Sequence, residues 1–300
     1  METVREKIAR LKKEKNAIIL AHNYTTAEVQ DIADYVGDSL GLSIEASKTD
    51  ADVIVFCGVT FMGESAKILS PGKTVLMPVP DALCDMASTC SAESLAQCKI
   101  KHPGYTVVGY VNTTGETKTQ MDVCCTSGNA LKVVSSLGSD KVLFVPDRNL
   151  GAFIAERIPE KEMVLWDGCC PIHDSITREQ ILELKGMYPG SISMAHPECR
   201  KEVLDEVDFI GSTEAMLNEC KKSDNNEFIV ITEVGMKHRM EKECPGKIFH
   251  FPESAVCDSM KKVTLELVAS CLEDMTGEIV LDDDVIRDAY LPVKRMTEIR

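Results

Sequence analysis

No Cys-x-x-Cys pair occurs in this chain of 300 residues, although it contains 13 cysteines. That absence removes zinc ribbons, thioredoxin-type redox pairs and the cysteine loops of ferredoxins. No apolar run approaches the roughly 20 residues of a membrane-spanning helix. Positive charge is scarce: 33 lysines and arginines stand against 48 aspartates and glutamates, for a net charge of −15. Nucleic acid and anionic membrane surfaces are poor partners for such a chain, because both select basic patches. A small anionic ligand is not excluded, since a pocket sets its own local field. The stretch METVREKIARLKKEK lacks the apolar core of a signal peptide and reads as an amphipathic, charged helix. A cytoplasmic protein is expected, and in that compartment a disulfide framework is not. The cysteines are then buried small hydrophobes, metal ligands or nucleophiles, and any metal site must gather cysteines distant in sequence.

What is present is a threefold internal repeat. The apolar runs AIILAHNY, TVVGYVNT and SISMAHPE end in polar signatures that place His22, Tyr110 and His196 at intervals of 88 and 86 residues. Two residues further on, Tyr24, Asn112 and Glu198 keep the same intervals. So do Ser39, Ser127 and Thr213, in VGDSLG, CTSGNA and IGSTEA. A second apolar run follows in each unit (DVIVFCG, KVLFVPD, EFIVITE), and each unit closes on a cysteine: Cys84, Cys170 and Cys257, 86 and 87 residues apart. Cys169, in DGCCPIHD, breaks that register by one. Helix-start signals open the units at Thr3, at Ser91 and at Ser175, where Thr177 and Gln180 also fit a capping box.

The spacing predicts three units, residues 1–86, 87–173 and 174–258, followed by a helical tail over 259–300 that packs on them. Each unit is expected to run helix, strand, helix, strand, helix, strand. This alternation implies an α/β fold with parallel sheets, and runs such as VIVFC and FIVIT fit strands buried on both faces. Ligands of such sheets sit at the carboxyl ends of the strands, where all three polar signatures and all three cysteines fall. Packed around a pseudo-threefold axis, the units would share one central site.

Three cysteines at one point make an incomplete ligand set. Zinc with three thiolates and a water fits it, and so does an iron–sulfur cluster with one iron free of protein ligands. Ser39, Ser127 and the Ser212-Thr213 pair precede helical patterns. They read as N-caps or as hydroxyls at helix N-termini facing an anion. His22 with Tyr24, and His196 with Glu198, are i, i+2 pairs at strand ends, suited to acid–base work in one cavity. His173 is a candidate to support Cys170. Arg148, in PDRNLG, fits either a phosphate contact or a buried ion pair.

The stretches AHNY, DIADYVGDS, FMGESAKIL, YVNTTGETK, CTSGNA, PDRNLG, CPIH, HPEC, GSTEAM and AVCDSMKK, in this order over residues 17 to 262, resemble the quinolinate synthase family, A-type. The resemblance implies a threefold pseudo-symmetric α/β protein with a 4Fe-4S cluster held by Cys84, Cys170 and Cys257. It implies condensation of iminoaspartate with dihydroxyacetone phosphate to quinolinate, releasing phosphate and water, in NAD biosynthesis. An oxidase or dehydrogenase acting on aspartate is the expected source of the imine. His22, Ser39, Tyr110, Asn112, Ser127, His196, Glu198 and Thr213 would contact substrate, with Tyr24 and His173 near the active site. Of these, His22, Tyr24, Tyr110, His196 and Glu198 are the acid–base candidates. At Cys169 the family commonly carries another residue type. The rival readings are a cluster-bearing sensor, a zinc hydrolase and a metal-free interaction protein.

Overall fold

A computed structural model describes residues 2–299. Among these, the strands form three four-stranded sheets, and every pairing is parallel. The first holds β1 (Ala17–His22), β2 (Tyr35–Gly37), β3 (Val53–Cys57) and β4 (Thr74–Leu76). The second holds β5 (Thr106–Tyr110), β6 (Val123–Cys125), β7 (Lys141–Val145) and β8 (Glu162–Leu165). The third holds β9 (Ile192–Ala195), β10 (Phe209–Ile210), β11 (Glu227–Ile231) and β12 (Ile248–His250). Their strand orders are β2-β1-β3-β4, β6-β5-β7-β8 and β10-β9-β11-β12, one pattern used three times.

The sequence predicted three strands per unit, and the structure has four. The extra strand, β2, β6 or β10, is two or three residues long. Such a segment shows no periodicity. It is held in place by the neighbouring central strand, not by its own composition.

The repetition extends to single hydrogen bonds. Asp34 accepts from the Ile19 N–H at 2.8 Å, Asp122 from Val107 at 2.8 Å, and Asp208 from Ser193 at 2.9 Å. Each carboxylate follows its strand partner by fifteen residues. Lys73, Lys161 and Lys247 each place an ammonium on carbonyls just beyond or at the ends of the helices Ser39–Lys48, Ala130–Ser136 and Thr213–Lys222. Those carbonyls have no intrahelical donor, and a cation there also complements the helix dipole.

The opening helices start on capping boxes at Thr3, Ser91 and Thr177. In the third unit the cap is Thr177 and not Ser175, because Gln180 lies three residues after Thr177 and returns the bond. β3 is buried along its whole length and β7 and β11 along all but their first residue, as sandwiched parallel strands require. Beyond the third sheet, the helix Leu265–Asp274 packs on the opening helix Val4–Glu14, and the helix Asp283–Glu298 lies against β6 and the helix Thr60–Leu69. No helix of the described residues is long and apolar enough to cross a membrane.

Candidate active site

The carboxyl ends of all three sheets open onto one cavity of about 1000 Å³, counting its solvent-facing part. His22 and Tyr110 are the last residues of β1 and β5, and His196 follows β9 directly. Each cysteine in register stands at the N-cap position of a four-residue helix, with no capping bond from its thiol. Cys84 precedes Asp85–Ser88, Cys170 precedes Pro171–Asp174, and Cys257 precedes Asp258–Lys261. The cavity is lined by His22, Tyr24, Ser39 and Cys84, by Tyr110, Asn112, Ser127, Cys170 and His173, and by His196, Glu198, Thr213 and Cys257. Of the residues singled out from the sequence, Ser212 is not in the wall. It is buried and caps the helix Thr213–Lys222 through the Ala215 N–H at 3.3 Å.

Two further expectations are corrected. Ser39 is not an N-cap: Asp38 takes that place, its carboxylate accepting from Gly41 N–H at 2.8 Å, so Ser39 is the first helical residue. Ser127 is not a cap either, since the helix begins at Ala130 after Asn129. Their hydroxyls are therefore not occupied with capping. Arg148 lies outside the cavity wall, paired with Asp167 at 3.0 Å and Asp174 at 3.4 Å.

Cys169 is not in the cavity wall. Its thiol lies near Asp174 and Arg148, on the other side of an extended stretch from Cys170. The chain is tight here: a Cβ on Gly168 would stand 2.5 Å from the Pro146 carbonyl.

The histidines are held as defined tautomers. Nδ1 of His22 accepts from Tyr24 N–H at 3.2 Å, and Nδ1 of His196 accepts from Glu198 N–H at 3.4 Å. This puts the ring proton on Nε2 in both. The Nε2–H of His196 donates to Ser127 Oγ at 3.0 Å. Burial drives both histidines down to about 3, against the pull of the Glu198 carboxylate, so both are neutral at physiological pH.

His173 donates from Nδ1 to Glu198 Oε2 at 2.6 Å, with Cys170 Sγ 3.2 Å from the same nitrogen. Its Nε2 then accepts from the Thr232 hydroxyl at 2.9 Å, and Thr232 Oγ1 accepts from Tyr24 O–H at 2.7 Å. Tyr24, Thr232, His173 and Glu198 thus form one hydrogen-bonded chain. Burial would raise the Glu198 carboxyl, but His196, His173 and the Tyr110 hydroxyl together carry it below its ordinary value. Burial, with Glu198 adding to it, pushes the phenols of Tyr24 and Tyr110 well above theirs, so both stay protonated donors.

Burial also raises all three cavity thiols, Cys84 to about 12, against backbone N–H donors of the short helices they precede. A metal must displace these protons on binding. Among the described residues, the ligand atoms of Cys170, His173 and Glu198 lie within 4.8 Å of one another and could hold a metal ion. The three thiols do not form so close a group. Asn112 Oδ1 is buried without a partner on the cavity wall. No lysine or arginine lines the cavity among the described residues.

Four residues of this site were not singled out from sequence. Thr232 follows β11 directly, a strand-end position like those of the signatures. Asp147 and Glu233 stand 86 residues apart. They accept from the backbone N–H of Cys170 and of Cys257, both at 3.0 Å, so each braces a thiol loop. Their common register was the available signal. Asn23 sits inside AHNY between two residues that were chosen.

Fold and cavity together define a parallel α/β protein that brings acid–base side chains, hydroxyl donors and thiols from three sheets into one pocket. The family model described as quinolinate synthetase A protein matches residues 6–298. A quinolinate synthase of Sulfurihydrogenibium sp. (strain YO3AOP1) is 48% identical, covering 98% of this chain and 97% of that protein. The quinolinate synthase of Methanoregula boonei is 48% identical over 98% of this chain and 97% of its own. That of Aquifex aeolicus is 44% identical over 100% of this chain and 95% of its own. The chain belongs to the quinolinate synthase family, enzymes of NAD biosynthesis.

Proposed function

We propose that this chain condenses iminoaspartate with dihydroxyacetone phosphate to give quinolinate, phosphate and water. The observation that carries this reading is the convergence of strand-end donors and three thiols from three sheets on one cavity. Two carboxylates and a phosphate are acceptor-only groups. A wall without lysine or arginine meets them with O–H and N–H donors: Ser39, Ser127, Thr213, Asn112 and the Nε2–H of His22.

Cys84, Cys170 and Cys257 would hold a 4Fe-4S cluster. Three thiolates on one zinc, at about 2.3 Å each, would bring their sulfurs within roughly 4 Å of one another. Iron and sulfide content, set against zinc, separates the two readings. When bound, such a cluster supplies a Lewis-acidic iron that eases the departure of a hydroxyl. The chain's own residues do the rest. Glu198, ionised and held by His173 and Tyr110, accepts a proton from substrate carbon. Tyr24 is the group that returns one to the substrate; through Thr232 and His173 its hydrogen-bond chain donates towards Glu198 and keeps that carboxylate oriented and ionised.

The three sheets are read as three repeat units, 1–86, 87–173 and 174–258, related by a pseudo-threefold axis through the cavity, with 259–300 as a tail. The protein works in the cytoplasm, supplied with the imine by an oxidase or dehydrogenase acting on aspartate. The test is iron and acid-labile sulfide per chain on protein purified without oxygen, followed by a quinolinate assay. About four of each with quinolinate formed supports the reading. Zinc without sulfide, or loaded protein that forms no quinolinate, overturns it.

A further inference from the structure

Thr213 is oriented by a chain of groups that starts outside the cavity wall. Arg239 is nearly buried, and its guanidinium donates to Glu243 Oε1 at 2.6 Å, to Glu214 Oε2 at 2.8 Å and to Asn23 Oδ1 at 3.0 Å. Asn23 is fully buried and donates from Nδ2 to Thr213 Oγ1 at 3.0 Å. An amide can be turned either way round, but a guanidinium only donates. Arg239 therefore fixes the oxygen of Asn23 towards itself and the NH₂ towards Thr213. The threonine oxygen then accepts, and its own proton is left over. Thr213 lines the cavity, and among the described residues its hydroxyl is paired only as the acceptor from Asn23.

We infer that Arg239 and Asn23 are positioning residues that set the polarity of Thr213, making its hydroxyl an obligate donor to an acceptor-only group of the ligand, a carboxylate or phosphate. The inference rests on the substrate reading above and adds how the anion is told from a neutral isostere. Ser127 has the same polarity by a different route, since His196 Nε2–H donates to its oxygen. The cavity thus selects anions through the direction of its hydroxyl protons. A position that offers the ligand only a donor, as Thr213 and Ser127 do, penalises a ligand group that itself carries N–H there.

The conservative change Asn23→Asp inverts the polarity while keeping shape. Aspartate still accepts from Arg239 but now also accepts from Thr213, turning that hydroxyl away from the ligand. The probes are quinolinate and its neutral isostere pyridine-2,3-dicarboxamide, titrated calorimetrically into anaerobically purified protein. The unchanged protein should bind the dicarboxylate more tightly than the diamide. Asn23→Asp should weaken the dicarboxylate by roughly 10-fold to 100-fold, the range of a hydrogen bond to a charged group. It should weaken the diamide far less, because an amide N–H can donate to the lone pair Thr213 now presents. In a Thr213→Val background the same change should cost nothing further.

Equal weakening of both ligands would show a merely structural role and overturn the inference. So would an equal loss with and without the Thr213 hydroxyl, which marks simple repulsion by the new carboxylate. If the unchanged protein binds no quinolinate and makes none, the substrate reading fails, an outcome separate from these two.

Discussion

Tyr24 N–H donates to His22 Nδ1 at 3.2 Å, and Glu198 N–H repeats the contact on His196 at 3.4 Å, 174 residues away in sequence. The bond spans the same two residues of each strand-end turn, so the backbone chooses the tautomer. A ring whose Nδ1 is committed as an acceptor is a poor base and a good Nε2–H donor. Both histidines therefore turn an Nε2–H donor outward and stay neutral in the working range.

That assignment has a consequence for stability in acid. Burial holds both rings at about 3, below the ordinary value of 6.5. Between those values the unfolded chain binds protons that the native one refuses, so stability falls as pH drops from about 6.5 towards 3. Calorimetric Tm measured across that window should decline steadily. His22→Gln should flatten the slope, and an unchanged slope would contradict a neutral, buried His22.

Glu198→Gln should reduce quinolinate formation by at least 100-fold while iron and sulfide content stay at the level of the unchanged protein. The amide keeps the shape but cannot accept a proton from carbon. Loss of metal instead would assign the carboxylate to the metal group it forms with Cys170 and His173. Surviving turnover would remove Glu198 from the acid–base set.

Thr232→Val separates Tyr24 from His173 without enlarging the site. The expected result is a fall in kcat of about 10-fold or more with little change in KM, because the hydroxyl links two proton carriers and binds no ligand group. A change in KM alone would show that Thr232 only shapes the pocket.

The adjacent cysteines give a matched pair. Cys170→Ser should abolish bound iron, and Cys169→Ser should leave it unchanged, since Cys169 is absent from the cavity wall. Iron retained in Cys170→Ser, or lost in Cys169→Ser, would reverse the assignment of the DGCC stretch.

Asn129 uses all four of its hydrogen-bonding positions. Oδ1 accepts from the Thr126 N–H and hydroxyl, and Nδ2 donates to the carbonyls of Met296 and Ile299. The last helix is thereby fastened beside Ser127. Asn129→Ala leaves buried groups unpaired, each worth about 1–3 kcal/mol, so Tm should fall by several degrees. A Tm within one degree of the unchanged protein would show that water replaces the amide.

The sequence by itself determined the repeat, because the same residues must recur wherever the same backbone turn ends a strand. His22, Tyr110 and His196, or Cys84, Cys170 and Cys257, are readable as triples for that reason. It also determined the parallel α/β character, since uninterrupted runs such as VIVFC are stable only between two covering layers. Tertiary structure alone decided what the triples do. The two- and three-residue strands β2, β6 and β10 exist only through pairing with a longer neighbour, and their composition carries no signal. Ser39, Ser127 and Ser212 look alike as residues preceding a helix, yet Asp38 and Asn129 take the capping positions of the first two, and only Ser212 caps. The link from Arg239 through Asn23 to Thr213 joins segments 216 and 190 residues apart in sequence. Hydrogen-bond polarity passes through space between side chains, and no spacing along the chain records it.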